Sequence, residues 1–300
     1  MAATFPLAGA ASALRTSAAG KADHFSELGR FLFALGLAML GVQIPLVGDF
    51  TLGLAPVPQW LPARLPLAYL NAAALLGASM LIASGWRLRV GAAVVALLFF
   101  AGFVLLQLPR LVANPGDGTA WTGMFEGVAL LAAAWLVAAR ARPEPSGAAR
   151  STLIDAGNAW GPRIFGVCLL AFGVLHFVYH DYVASVIPAW IPAHLFFAYF
   201  TGVAHIAAGV AIITSVQGRL AATLLGGMFA SWVVLLHIPR VAAAPGNRNE
   251  WTSLLIAIAL SGAAWLVAGR FARKAPAPAS TRAEAKIQNA LEGSTLQEAA

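Results

Sequence analysis

Three hundred residues with a net charge of +7, 60% hydrophobic and only 10% charged side chains, and a mean hydropathy of +0.77 lie far outside the soluble range, where about a quarter of residues are charged. These values exclude a water-soluble globular enzyme and predict an integral membrane protein with the lipid bilayer as its main partner. The positive balance does not signal nucleic acid, because Lys and Arg stand between apolar segments and in the tails, where they orient a chain in a membrane.

Residues 1–28 are rich in Ala, Ser and Gly and lack a continuous apolar stretch before a small-residue cleavage site. They read as a poorly ordered cytoplasmic tail rather than a signal peptide. Eight apolar segments follow, at 29–48, 66–85, 89–109, 121–139, 162–182, 194–215, 219–238 and 251–269. Each is close to the ~20 residues a helix needs to cross ~30 Å of hydrocarbon. Pro45, late in the first segment, should kink or end it. A Pro-containing cytoplasmic linker is expected at 141–161 and a solvated cytoplasmic tail at 271–300. The single cysteine, Cys168, lies inside an apolar run, so internal disulfides, dithiol redox chemistry and thiolate zinc sites are excluded.

Loop charge gives an orientation. With both termini cytoplasmic, that side holds 15 of the 19 Lys and Arg, and the other holds only Arg64, Arg110, Arg240 and Arg248. This is the positive-inside pattern, expected here for a bacterial inner membrane.

The chain is also duplicated. Pro58 to Arg140 aligns with Pro188 to Arg270 at a constant offset of 130, with about 32 of the 83 positions identical. The predicted architecture is therefore all-α, with repeats at 29–140 and 162–270. Four spans per repeat is an even number, so both repeats run in the same direction, related by a pseudo-two-fold axis along the membrane normal.

Matched features gather on the side away from the termini: two P-x-W-[LI]-P loops, two P-R pairs and two P-G-x-x-x-x-W-T turns. Trp60, Trp121, Trp190 and Trp251 suit an aromatic belt, although the same loops could frame the mouth of a pocket. Arg110 and Arg240 suit helix C-termini, where a cation is favoured, or could hold an anion or a quinone carbonyl. Glu126, replaced by Ile256 in the second copy, is an acid inside a span and a functional candidate by default. Arg110, at the outer end of the preceding span, is a candidate partner, with a purely structural ion pair an equal alternative.

Histidine separates the copies. His176, His180, His194, His205 and His237 all lie in the second, where the first has Arg64, Leu75 and Gln107 opposite His194, His205 and His237. His176 and His205 should be deep, on neighbouring helices, placed to bracket a haem iron or hydrogen-bond a quinone headgroup. Tyr199, His237 and Arg240 would complete that cofactor site toward its entrance. The shallow group His180, Asp181 and His194 could bind a divalent metal. The competing account is that these imidazoles bond between helices or snorkel to the interface. A phosphate-binding Gly loop, a G-x-S-x-G elbow and an H-E-x-x-H are absent, so hydrolase and ATPase chemistry is not indicated.

The stretch His176 to Ile213, with His176-Phe177, Pro188 to Pro192 and Gly202 to His205, resembles the DoxX-like membrane proteins. His205 stands where many relatives carry Glu. The resemblance implies a four-helix bundle per unit and an association with respiratory or sulfur redox partners near quinone. The expectation is a redox-associated accessory protein binding quinone or haem in an outward-facing pocket of the second repeat. A small-solute transporter or channel using Glu126 and the histidines is the alternative, and a non-catalytic assembly factor is a third.

Overall fold

The structure, a computed structural model, describes residues 7–51, 54, 56–140 and 148–272. Among these there is no strand, and eight helices are long and apolar enough to cross a membrane: His24–Val47, Arg64–Ser84, Leu88–Ala113, Gly118–Arg140, Ala156–Val178, His194–Thr214, Gly218–Ala243 and Arg248–Phe271. They are called the first to eighth spans. The all-α, eight-span membrane architecture expected from composition is present.

Two helices begin earlier than expected. The first runs from Leu7, so most of the anticipated irregular tail is helical, as Ala-rich sequence with no proline between Pro6 and Pro45 permits. It passes through Pro45 and stops two residues later, at Val47. The fifth starts at Ala148 and absorbs the second part of the anticipated linker. Residues 141–147 and 273–300, the rest of that linker and nearly all of the expected C-terminal tail, lie outside the described residues.

The third and seventh spans run past their expected ends through π-helical turns at Phe103–Gln107 and Val233–His237. Pro109 and Pro239 follow immediately. Proline has no N–H for the helix ladder, and its ring crowds the carbonyl four residues back. A widened turn lets the helix absorb it and continue.

The 130-residue offset recurs in backbone detail. Ala63 and Ala193, Arg87 and Gln217, and Gly85 and Ser215 all cap helices in the left-handed region. Gly85 needs no compensation there, but Ser215, at φ 63°, carries a Cβ that disfavours the conformation.

Neighbouring spans pack in chain order, and the first and eighth make the most extensive contact. The fourth span packs on the fifth as well as the third, and it also meets the eighth. Each half therefore places its last helix against the first helix of the other half. The eighth span is the interior one, with 83% of its most apolar window buried against 22% for the seventh. Glycine makes this burial work. A Cβ on Gly29 would stand 2.8 Å from the carbonyl oxygen of Gly262, and one on Gly36 2.7 Å from that of Leu255.

Gly262→Leu should separate the first and eighth spans. An overpacking penalty of about 1–3 kcal/mol is the expected floor, read as an earlier thermal transition in detergent or loss of the monodisperse species. Ser215→Gly should do the reverse, raising the transition by relieving about 1 kcal/mol of left-handed strain.

Candidate functional site

The fifth and sixth spans approach backbone to backbone through two glycine pairs. A Cβ on Gly209 would lie 2.7 Å from the Gly166 carbonyl oxygen, and one on Gly173 2.8 Å from that of Gly202. On Gly202 it would stand 3.0 Å from Cβ of His176. Small residues allow this closeness in lipid, where helix association rests on packing rather than on the hydrophobic effect.

This approach brings together the two deep histidines. The rings of His176 and His205 have centroids 4.9 Å apart and planes inclined at 43°. His205 is 1% exposed, while His176 is half-buried. Phe172 on the fifth span lies edge-on to His205 at 5.9 Å, and Phe229 and Trp232 on the seventh stand 5.7 and 5.6 Å from it. Trp232 also stacks on His176 at 6.3 Å. Two imidazoles thus sit against a wall of aromatic rings inside a membrane-spanning bundle.

Both histidines hydrogen-bond along their own helix. Nδ1 of His176 meets the Phe172 carbonyl oxygen at 2.8 Å, and Nδ1 of His205 meets that of Thr201 at 2.8 Å. A carbonyl only accepts, so each Nδ1 carries the proton, and in the neutral ring each Nε2 is left as an acceptor.

The other expected residues are placed differently. His180, Asp181 and His194 do not form a metal centre: among the described residues no three His, Cys, Asp or Glu side chains are close enough to hold an ion. Nε2 of His194 is engaged with the Pro188 carbonyl oxygen at 3.2 Å. His180 approaches Asp181 at 3.4 Å, but Asp181 is 94% exposed. Tyr199 joins a neighbouring stack, 5.5 Å from Phe177 and 5.4 Å from His180.

Arg240 is not an open anion clamp. It forms a bidentate pair with Glu250, at 2.7 and 2.6 Å, and donates to the Val186 carbonyl at 3.1 Å. Nor does Arg110 pair with Glu126, because it reaches Asp117 at 2.8 Å and Thr119 at 2.8 Å in the adjoining turn. The local turn supplies its partner at a shorter loop distance than a residue inside the span. Glu126 is half-buried and has neither a hydrogen bond nor an ion pair among the described residues. His237 ends the second π-helical turn with a buried Nδ1 that makes no hydrogen bond among the described residues.

No family model, curated protein or solved structure matches this chain. What the site can do is decided by its own groups.

Sequence reasoning missed Phe172, Phe229 and Trp232, which read as ordinary apolar residues. One signal pointed to Trp232: the matched position in the first copy is Gly102. Glu250 was also missed, although it lies inside the P-G-x-x-x-x-W-T turn, where Asp117 has the same task for Arg110 at a different position. The tryptophans of those turns act as staples. Nε1 of Trp121 donates to the Pro115 carbonyl at 2.8 Å and Nε1 of Trp251 to that of Pro245 at 2.9 Å.

Asp117 lies in the turn between the third and fourth spans. The Thr119 hydroxyl at 2.6 Å, helped by the Thr119 N–H at 2.9 Å and by Arg110, holds its carboxyl below the usual range. A depressed pKa stabilises the fold above the ordinary carboxylate value, and the contribution is lost as pH falls through the depressed one. Asp117→Asn should therefore melt earlier than the parent at neutral pH. The two melting curves should converge in acid.

Proposed function

We propose that the chain is a redox-associated membrane accessory protein that holds a quinone-class headgroup against His176 and His205. One observation carries this reading: two imidazoles 4.9 Å apart, each with Nδ1 bonded to a backbone carbonyl, walled by aromatic rings inside a membrane-spanning bundle. A flat, neutral, lipid-soluble ring suits such surroundings, whereas a charged solute would be desolvated there without compensation. When bound, a quinone supplies two-electron carriage. The protein's own contribution is to hold the headgroup at the imidazoles, flank it with Trp232 and limit water.

Haem fits less well. Iron held between two opposed imidazoles, about 2 Å from each nitrogen, would keep the ring centres about 6 Å apart, by analogy with other metal–imidazole distances. The ring centres stand closer than that, at 4.9 Å, which favours the quinone reading.

The likeness of His176 to Ile213 to the DoxX-like proteins supports the same reading, as does the backbone recurrence at 130 residues, which favours two same-direction four-helix units. The Lys and Arg bias supports an inner-membrane location with both termini cytoplasmic, and respiratory or redox membrane proteins as partners are what the DoxX-like likeness alone suggests.

Organic extraction of the purified protein should release a quinone, with no haem absorbance in the visible spectrum. His205→Ala should release at least tenfold less, counted as quinone plus hydroquinone, in line with the loss of about 1.4 kcal/mol of binding. Purified protein that carries no quinone and takes none up in lipid would overturn the proposal.

Glu126 favours a second reading, a solute path, because an ionisable group in a span without a partner marks ion or substrate routes. Proteoliposome uptake of a small solute that disappears with Glu126→Gln would replace the first reading by this one.

A further inference from the structure

We infer that the His176–His205 pair selects the hydroquinone over the quinone, because the ligand must bring the hydrogen-bonding protons itself. The inference rests on the reading above and specifies which form of the headgroup that site takes.

Its basis is donor and acceptor accounting. Each neutral imidazole has one N–H, and both are committed to backbone carbonyls, that of His176 to Phe172 and that of His205 to Thr201. Both Nε2 atoms therefore offer lone pairs only. A quinone oxygen also offers lone pairs only, and an acceptor facing an acceptor in an apolar site stays unsatisfied. A hydroquinone O–H completes the bond.

Protonating the pair would remove the mismatch, but the neighbourhood opposes it. A single added proton would place a charge among aromatic side chains away from water, which is costly without a counter-ion, and a second would meet the first at 4.9 Å. The rings facing them are Phe172 from the fifth span and Phe229 and Trp232 from the seventh. No carboxylate pairs with either histidine among the described residues. Trp232 is the one of these three that carries an N–H, so its contribution must be separated from that of the histidines. Of the two rings, that of His176 is the more open, being half-buried where His205 is 1% exposed, so a headgroup would meet His176 first.

The test is equilibrium titration of the full chain in lipid nanodiscs with decylubiquinol and, separately, decylubiquinone, under argon. The hydroquinone should bind about tenfold more tightly, the equivalent of one neutral hydrogen bond. His176→Gln places an amide that can donate as well as accept, and should erase the preference. His205→Gln is the second variant should the first fail to give a monodisperse protein. Trp232→Phe, which removes the indole N–H and alters the wall flanking the headgroup, should weaken binding of both forms alike and leave their ratio in place. Equal affinity, tighter quinone binding, or a preference that vanishes in Trp232→Phe while surviving in His176→Gln would overturn the inference and leave the binding proposal standing. Failure of both forms to bind the parent protein would overturn the binding proposal itself.

Discussion

Close backbone approach between helices is the constraint on which the rest of the molecule depends. Lipid tails are as apolar as leucine, so burying a leucine between two spans gains little over leaving it in the bilayer, and association has to come from contact at short range. Glycine and alanine supply it. Gly29 and Gly262 draw the first span onto the eighth, and Gly166, Gly173, Gly202 and Gly209 draw the fifth onto the sixth. Without the second of these contacts, His176 and His205 would not be neighbours.

Polar groups follow from the same constraint. A charge removed from water must be paired, and the bundle pairs its charges mostly at its two ends. At the end bearing the termini, Glu27 bridges Arg30 at 2.7 Å and Arg140 at 2.6 Å, tying the first span to the fourth. At the far end, Arg64 meets Asp49 at 2.7 Å, and Arg110 and Arg240 are held by Asp117 and Glu250. Arg110 and Arg240 were natural candidates for ligand recognition, but their guanidinium groups are held by carboxylates that tie the turns to helix ends. Glu126 is the contrast, lying within a span with no hydrogen bond or ion pair among the described residues.

The two halves share caps, π-helical turns and proline-arginine pairs, yet they differ where chemistry is expected. Leu75 and Gly102 in the first half correspond to His205 and Trp232 in the second, while Phe99 and Phe229 are equivalent. At these matched positions the first half has only apolar residues, and the second has an imidazole and an indole. The eighth span, buried on nearly all sides, holds both halves together.

Membrane insertion, helical class and the number of spans were legible in the sequence, because transfer of apolar side chains out of water is a local property that sums along the chain. The His176 and His205 pairing was also legible as two deep imidazoles on adjacent helices. Their mutual distance was not, since it depends on which glycines face each other across the helix contact. The same limit explains the partners of the arginines: Arg110 and Glu126 are near in sequence and in expected depth, but side-chain direction and the geometry of the turn give the contact to Asp117. Sequence by itself determined that this chain lives in a bilayer and where its unusual residues fall. Only the tertiary structure decided which of them meet, because short-range packing and hydrogen-bond geometry belong to pairs of helices and are not encoded in either helix alone.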